Sequence, residues 1–278
     1  MSPTAAEVAE ADRQFAAWMR GNLARAADHF GVTVTDDPVF GWRLRSIGVP
    51  VCSFDGRRWL RVVSEQVQWA EGDWWTGNAD ANAITGIRKP RVLDVVEWDI
   101  PKVRRQRAEL MTYVSGRRCS DTDSLRANVE LSAGWWAELR RSLDVIRSTP
   151  TTRVRKDETA IRRSVHVRFG LSIEVRTWET VHGDLHWANL LQPDLAILDW
   201  EHWGRGPVGT DAASLYCYSL LAPRTAATVW DTFADVLDTP AGTTALLYVA
   251  ARLLHRVEMG DHPELAAPLR RLVDGLET

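Results

Sequence analysis

Long apolar runs are missing from the chain: none approaches the roughly 20 residues that a helix needs to span a bilayer. The first residues, MSPTAAEVAEADRQF, contain acidic side chains where a secretory signal needs a basic and then an apolar stretch. Both absences predict a cytoplasmic protein with no membrane partner.

Cysteine and lysine are scarce. Cys52, Cys119 and Cys217 are far apart and odd in number, which excludes a disulfide framework and a zinc site of closely spaced thiolates. Lysine occurs three times among 34 basic residues, and 37 acidic residues bring the net charge to −3. Because this charge creates no global positive field, the sequence predicts no nucleic-acid partner.

The remaining composition is that of an ordinary folded protein. Hydrophobic residues make up 45% and charged residues 26% of the 278 positions, which excludes disorder and low complexity as overall descriptions. This length is enough for one large domain or two modest ones with a sizeable core.

The first part of the chain combines one helix with short apolar runs. A T-x-x-E capping box at 4–7 begins a series of apolar residues at helical spacing, which predicts an opening helix over 4–30. Between about 35 and 115, short runs of Val, Ile, Trp and Phe are broken by turn signals such as Asp55-Gly56. These runs predict a small antiparallel sheet.

The rest of the chain has mainly helical patterns. Helices are predicted over 125–147 and 157–168, after a polar stretch at 116–124. A sheet-rich part followed by a helical part predicts an α+β protein with two lobes, an N-terminal lobe over 1–116 and a C-terminal lobe over 117–278. Further helices are predicted near 211–222, 224–238, 242–259 and 263–277.

Polar side chains concentrate in HGDLHWANLL at 182–191 and in the short stretch that follows it. Asp184 lies 5 residues before Asn189 and 15 before Asp199, so a short hairpin can bring the three side chains together. Carboxylate and amide oxygens suit Mg²⁺, which typically takes one or two carboxylates plus substrate phosphates and water. A carboxylate that does not hold the metal can accept a proton from an attacking hydroxyl.

These motifs resemble those of the aminoglycoside phosphotransferase and choline kinase superfamily, whose members share the protein-kinase-like fold. The family pattern H-G-D-x-x-x-x-N is matched by HGDLHWAN at 182–189, and the I-D-W-E pattern by LDWE at 198–201. A third stretch, GPVGTDAA at 206–213, matches the Gly-Asp-Pro-like segment that ends in D-L-A. The resemblance implies a two-lobed fold, with a small antiparallel-sheet N-lobe that binds the nucleotide and a mainly helical C-lobe that carries catalysis and binds the acceptor.

The resemblance also implies a role for each polar residue of the motifs. Asp184 would be the catalytic base, and Asn189 and Asp199 would be Mg²⁺ ligands. Asp211 would brace the catalytic loop as a structural carboxylate, and His182 would support the same loop by hydrogen bonding to nearby backbone. Phosphoryl transfer needs such parts, because it depends on positioning and charge neutralisation more than on covalent chemistry.

The activity that the resemblance implies is a Mg²⁺-dependent transfer of the γ-phosphoryl group of ATP or GTP to an alcohol group. The acceptor would be a hydroxyl-bearing small molecule such as an antibiotic, a sugar or another metabolite. One alternative is a kinase of Ser or Thr hydroxyls on a peptide in natural-product maturation, and another is a catalytically silent relative that binds a nucleotide or a protein. A third, a metal-dependent hydrolase, would use His182, Asp184 and His186 as metal ligands.

The N-terminal part departs from the family pattern. It lacks a G-x-G-x-x-G loop, and the best-placed third strand, RWLRVV at 58–63, has no lysine for the nucleotide phosphates. Arg61 occupies the place of that lysine and keeps its charge, so we expect it at the nucleotide, with Glu71 or Glu65 as its acidic partner. The alternative is a solvated arginine on the surface of a strand. The adenine hinge is expected near 109–114.

Overall fold

The computed structural model describes residues 4–154 and 156–276. None of the helices in these ranges is both long enough and apolar enough to cross a membrane. The chain divides into two units, each of which is described below by itself. Unit 1 contains Met1–Asn82 and Pro90–Ser115, and unit 2 contains Ala83–Lys89 and Gly116–Thr278.

These units differ from the predicted lobes, 1–116 and 117–278, in residues 83–89 and, at the boundary, in Gly116. Residues 83–89 fell within the predicted N-terminal lobe, but they group with unit 2. The reason is their hydrogen bonding, because the Arg88 carbonyl accepts from the Ile197 amide at 3.0 Å and the Arg88 guanidinium donates to the Asp194 carbonyl at 3.0 Å. Of the predicted lobes, residues 1–3, 155 and 277–278 lie outside the described residues.

Unit 1 begins with helix α1, Ala5–Phe30, which has both of the end signals seen in the sequence. The Thr4 hydroxyl accepts from the Glu7 amide, and the Glu7 carboxylate accepts from the Thr4 amide, which satisfies donors that the first helical turn leaves without partners. The helix ends at Gly31, whose φ of 62° is the left-handed conformation that glycine adopts without a steric penalty.

A six-stranded antiparallel sheet completes unit 1 together with a short helix. The strands lie in the order β1-β3-β4-β6-β5, and β2 also pairs with β3. The elements are β1 (Thr33–Val34), β2 (Val39–Phe40), β3 (Ser46–Ser53), β4 (Gly56–Gln66), α2 (Asp73–Asp80), β5 (Val92–Ile100) and β6 (Arg104–Thr112).

The two faces of this sheet are covered differently. Met19 and Leu23 of α1 pack with Leu60 and the neighbouring apolar residues of β3 and β4. Because successive side chains of a strand point to opposite faces, Arg61 and Val63 of β4 lie on the face opposite to Leu60. Val63 packs there in a second cluster with residues around α2. Arg61 therefore lies on the α2 side of the sheet.

Unit 2 is mainly helical, and α7 packs against four of the other helices, α4, α5, α6 and α8. Its four short strands form two antiparallel pairs, β8 with β10 and β7 with β9. The helices are α3 (Ala133–Ser148), α4 (Glu158–Phe169), α5 (Thr210–Cys217), α6 (Pro223–Leu237), α7 (Pro240–Glu258) and α8 (Ala266–Leu276). The strands are β7 (Arg117–Arg118), β8 (Trp178–Val181), β9 (Leu191–Gln192) and β10 (Gly204–Pro207).

The largest differences from the sequence prediction concern two helices. The helix predicted over 125–147 begins at Ala133, because the Ser132 hydroxyl accepts from the Trp135 amide and so caps the helix there. No helix was predicted between 71 and 84, and this segment contains α2. That helix has only 8 residues and begins after Gly72 without a side-chain cap, so it lacks the usual start signal.

Candidate active site

The predicted catalytic loop begins directly after β8, and the pairing of β8 with β10 brings α5 to it. Asp211 in the first turn of α5 accepts two backbone hydrogen bonds from this loop, from the His182 amide at 2.6 Å and the Gly183 amide at 3.0 Å. Hydrogen bonds to a charged acceptor are stronger than those between neutral groups. One buried carboxylate thus holds two successive peptide groups, those that end at the His182 and Gly183 amides, shortly before Asp184.

His182 is fully buried and links the loop to the chain before Asp199. Its Nε2 lies 2.9 Å from the Leu198 carbonyl oxygen, and its Nδ1 accepts from the Asp184 amide at 3.4 Å. This pattern requires a neutral imidazole with the proton on Nε2, because a carbonyl can only accept. The Trp200 ring packs edge-on against it at 4.8 Å. The contacts are those of a side chain that orders the loop backbone.

A short hairpin brings Asn189 and Asp199 to the same part of the chain. The Leu191 amide donates to the Ala196 carbonyl at 3.0 Å, and the Leu198 amide donates to the Asn189 carbonyl at 2.8 Å. Asp199 follows directly, exposed and with a φ of 59°, a left-handed conformation that is uncommon outside glycine and recurs at functional sites.

The oxygen atoms that this hairpin offers as ligands suit a divalent cation such as Mg²⁺. The Asn189 side-chain nitrogen donates to the Asp184 carbonyl at 3.1 Å, so the amide oxygen is the Asn189 atom that a cation would bind. Together with the Asp199 carboxylate it would supply oxygen ligands, the type that Mg²⁺ takes alongside substrate phosphates. Both residues were predicted from the sequence as metal ligands. The hydrogen bond from the Leu198 amide to the Asn189 carbonyl places Asn189 beside the residue that precedes Asp199.

The alternative metal centre of a hydrolase has less support. His182 already engages backbone groups through both ring nitrogens, and His186 Nε2 lies 3.0 Å from the Asn189 side-chain nitrogen. Within 4–154 and 156–276, no group of three or more His, Cys, Asp or Glu side chains is arranged to hold a metal ion. An H-x-D-x-H centre built from protein ligands alone is therefore not what these residues form.

Asp123 extends the site beyond the motifs. Its carboxylate accepts from the Arg256 guanidinium at 2.8 Å and lies 3.3 Å from His262 Nε2 and 3.6 Å from His186 Nε2. Burial acts to raise the pKa of Asp123, but the His262 hydrogen bond and the charges of His186 and Arg256 outweigh it and lower the pKa to about 2. His186 Nε2 also lies 3.7 Å from the Asp184 carboxylate. Asp123 thus stays ionised next to the predicted base.

Unit 1 contains the residue that the sequence assigned to the nucleotide. Arg61 on β4 lies opposite Glu109 on β6, and their charged groups are 3.6 Å apart. The Glu109 carboxylate, only 1% exposed, also accepts from the Asn78 side chain of α2 at 2.8 Å and from Arg107 at 2.9 Å. The Arg61 side chain is 12% exposed, so it is not the solvated strand residue of the alternative interpretation.

Glu71 does not lie at Arg61. It is exposed on the loop before α2, where its charge contributes to the raised pKa of Arg105 behind the larger effects of Asp99. The predicted acidic partner was chosen by order along the chain, as a residue after the third strand. The observed partner, Glu109, comes from the neighbouring strand, and α2 supplies the amide of Asn78 in the same cluster.

No protein-family model and no curated protein matches the chain. Solved structures match it in three dimensions. A thermostable mutant of the aminoglycoside phosphotransferase APH(4)-Ia has a TM-score of 0.59 and 14% identity, over 90% of this chain and 96% of that one. The amicoumacin kinase hAmiN has a TM-score of 0.57 and 13% identity, over 93% of this chain and 92% of that one.

A third match, the spectinomycin phosphotransferase APH(9)-Ia, has a TM-score of 0.54 and 10% identity, over 93% of this chain and 92% of that one. The chain has the aminoglycoside phosphotransferase fold. This fold confirms the α+β, protein-kinase-like class predicted from the sequence, with an antiparallel sheet in unit 1 and helices in unit 2. Sequence identities this low show only that the fold is shared, so the roles of single residues stay predictions.

Three polar residues of unit 2 were missed by the sequence analysis. Asp123 lies in a polar stretch that indicated only a boundary between lobes. Arg252 lies in a helix without any local motif and hydrogen-bonds to the loop, 69 positions away in sequence. Glu179 lies in a strand without any local motif and hydrogen-bonds to Gly209 before α5, 30 positions away. No signal in a single sequence marks contacts of that range.

Proposed function

We propose that the chain is a Mg²⁺-dependent phosphotransferase that moves the γ-phosphoryl group of ATP or GTP to an alcohol group of a small molecule. The observation that carries the proposal is the loop 182–189, whose backbone is braced by Asp211 and His182 and whose Asn189 side chain donates to the Asp184 carbonyl at the start of the hairpin to Asp199. A base and two oxygen ligands on a braced loop are the parts that phosphoryl transfer requires.

The solved structures of the same fold support this chemistry. One structure of APH(4)-Ia is a ternary complex with ADP and hygromycin B. The amicoumacin kinase is in complex with AMP-PNP, Ca²⁺ and its substrate, and the spectinomycin phosphotransferase is in complex with ADP and spectinomycin. For the present chain, we infer a nucleotide and a hydroxyl-bearing small molecule as its two substrates.

In this proposal, each residue of the loop has one task. Asp184 accepts the proton of the acceptor hydroxyl as the oxygen attacks the phosphoryl group. The Asn189 amide oxygen and the Asp199 carboxylate hold Mg²⁺, which when bound neutralises charge on the phosphates. Asp211 and His182 keep the loop backbone in place, so little reorganisation is needed at the moment of reaction.

On the nucleotide side, we propose that Arg61 contacts the phosphates and that Glu109, in place of Glu71, is the carboxylate that orients it. The Arg61 guanidinium lies 3.6 Å from the Glu109 carboxylate, and Asn78 and Arg107 hold that carboxylate in turn, so the cluster fixes where the positive charge of Arg61 lies on the α2 side of the sheet. A bidentate guanidinium suits phosphate oxygens as well as a lysine does, with a broader planar contact.

The test combines binding and transfer. Calorimetry with Mg²⁺-ATP and Mg²⁺-GTP should detect nucleotide binding, and a panel of hydroxyl-bearing acceptors should then be assayed for ADP or GDP release against a nucleotide-only control. Asp184→Asn should retain nucleotide affinity and lose turnover, because an amide of the same size cannot accept the hydroxyl proton. Absence of nucleotide binding would refute the proposal. Binding without transfer to any acceptor would favour the catalytically silent alternative.

A further inference from the structure

Arg252 of α7 also contacts the catalytic loop. It donates to a backbone carbonyl of the loop, whereas Asp211 accepts from two backbone amides. The Arg252 guanidinium donates to the Gly183 carbonyl at 2.8 Å through one terminal nitrogen and to the Ser214 hydroxyl of α5 at 3.0 Å through the other. The Gly183 carbonyl belongs to the peptide group that joins Gly183 to Asp184. Arg252 therefore holds the last peptide group before the predicted base.

Two opposite charges thus hold consecutive peptide groups of the loop. The Asp211 carboxylate takes the amides of His182 and Gly183, and the Arg252 guanidinium takes the carbonyl of Gly183. Gly183 has a φ of 80°, and glycine is the residue with the greatest backbone freedom. Without a fixed hydrogen-bond partner on each side, this residue would let the backbone before Asp184 rotate.

The surroundings of Arg252 explain how a charge is kept at this position. Arg252 is half-buried and its neighbours on α7, Leu253 and Leu254, are buried, and a cation withdrawn from water is costly unless it is paired. Burial acts to lower the pKa of Arg252, but Tyr218, Tyr248 and Asp184 outweigh it and raise the pKa above its ordinary value. The guanidinium is thus charged, and part of its compensation comes from Asp184.

We propose that Arg252 is a positioning residue for Asp184, which holds the Gly183-Asp184 peptide group in the orientation that places the base at the acceptor hydroxyl. The consequence for turnover rests on the proposed function. The effect on the order of the loop does not, because it concerns hydrogen bonds within unit 2 alone. A small displacement of a catalytic group lowers turnover by about 10- to 100-fold, while leaving the binding of a distant part of the substrate unchanged.

The experiment compares hydrogen exchange and kinetics in matched variants. Arg252→Met removes the guanidinium and keeps a long apolar side chain, and Arg252→Lys restores a charged donor. Arg168→Met is the control, because Arg168 of α4 forms an ion pair with Glu258 of α7, the helix that carries Arg252, and within the described residues makes no hydrogen bond to the loop. Each variant is first checked for a cooperative thermal transition.

Amide exchange in peptides that cover 182–190 is expected to be faster in Arg252→Met than in the wild type by about tenfold or more, partly restored in Arg252→Lys and unchanged in Arg168→Met. With the acceptor found in the transfer assay, kcat should fall about 10- to 100-fold in Arg252→Met, with the KM for the nucleotide within about twofold. Arg252→Gln, which keeps a donor and removes the charge, replaces Arg252→Met in both measurements if the latter does not fold.

If amide exchange in the loop of Arg252→Met, or of Arg252→Gln in its place, is as slow as in the wild type, the proposal is overturned. Faster exchange with an unchanged kcat would also overturn it. If the wild-type chain binds nucleotide but transfers phosphate to no acceptor, the proposed function fails, while the exchange data still decide whether Arg252 orders the loop. The two failures are therefore distinguishable.

Discussion

Glu179 lies beside the start of α5, near the carboxylate that braces the catalytic loop. Its carboxylate accepts from the Gly209 amide at 2.8 Å, and the pocket around it is lined by Arg140, Asp144, Arg147 and Asp211. Burial is the main cause that raises the pKa of Glu179 to about 7, with a smaller contribution from Asp211, whereas the Gly209 hydrogen bond acts to lower it. This acid therefore titrates near neutral pH in the folded chain.

The raised pKa predicts how stability depends on pH. Between pH 4.5 and about 7, folded Glu179 keeps a proton that the unfolded chain has lost, so the free energy of unfolding falls as the pH rises through this window. Above pH 7 the difference is constant. Glu179→Gln keeps an acceptor for the Gly209 amide and removes the ionisation, so it should gain on the order of 1–3 kcal/mol relative to the wild type between pH 4.5 and pH 8.

Denaturant unfolding of wild type and Glu179→Gln at several pH values from 4.5 to 8 measures this effect. The two stability curves should diverge as the pH rises. Curves that stay parallel over the whole range would show that Glu179 has an ordinary pKa in the folded chain.

The arginine of the third strand gives a second prediction for a single residue. If Arg61 contacts the phosphates, Arg61→Ala removes a charge-assisted contact worth about 1.5–3 kcal/mol, which is roughly tenfold to over a hundredfold in nucleotide affinity. Arg61→Lys should recover part of the loss. The measurement is calorimetry with Mg²⁺-ATP on variants shown to be folded, because Glu109 loses one of its partners in Arg61→Ala.

Arg13 on α1 of the same unit is the control. It forms an exposed ion pair with Glu10, with both side chains at least half exposed, and such pairs contribute at most about 1 kcal/mol. Arg13→Ala should leave nucleotide affinity unchanged. Equal affinity of wild type and Arg61→Ala would exclude the phosphate role.

At the scale of elements, the start of α5 connects the backbone to the site. Gly209 precedes this helix with a φ of 88°, and a Cβ atom there would lie 3.0 Å from the Val236 side chain. Both the left-handed backbone and the close approach favour glycine. Gly209→Ala should cost about 1–3 kcal/mol of stability and also lower kcat, because Asp211 is two residues further along α5.

Gly31→Ala is the control that separates an effect on stability from an effect on kcat. Gly31 has a similar left-handed φ of 62°, but a Cβ atom there would meet nothing within 4 Å, and it ends α1 in unit 1. Gly31→Ala should therefore lower the stability by about 1 kcal/mol and leave kcat unchanged. Thermal unfolding and steady-state kinetics of both variants make the comparison. An unaffected kcat in Gly209→Ala would contradict the coupling between the start of α5 and the loop.

The elements differ in how well their sequence predicted them, and the range of the signals explains why. Helix α1 was predicted to within one residue because its capping box and its terminal glycine are local signals. The start of the helix predicted over 125–147 was placed 8 residues early, since the lack of proline permits a helix without requiring one. Helix α2 was not predicted, because its packing against the sheet decides its formation more than its propensity does.

The candidate site shows the same contrast. His182, Asp184, Asn189 and Asp199 lie within 18 positions and form a motif that the sequence displays directly. By contrast, Glu109 meets Asn78 across 31 positions, and Arg252 meets the loop across 69, so tertiary packing alone brings them together. Pairing by order along the chain led to Glu71 instead.

At the scale of the whole molecule, a ligand that binds only the folded chain must raise its stability. Mg²⁺-ATP at about 100 times its dissociation constant would add about 2.7 kcal/mol, which for a chain of 278 residues corresponds to a Tm increase of about 5 °C or more. A chelator should remove most of this increase, because Asn189 and Asp199 would hold Mg²⁺, which would neutralise charge on the phosphates. The measurement is thermal unfolding of the full chain with ATP, with and without Mg²⁺.

Two isosteric variants tell the metal ligand from the base in this measurement. Asp199→Asn removes a charged ligand, so the increase in Tm with Mg²⁺-ATP should be much reduced. Asp184→Asn leaves the ligands in place and should keep the full increase while turnover is lost. Because both variants replace a carboxylate with an amide of the same size, their unliganded Tm values correct for changes in intrinsic stability. An equal increase in Tm for the two variants would contradict the division of roles between Asp184 and Asp199, whereas an increase in the wild type that persists in the chelator would exclude a metal from nucleotide binding.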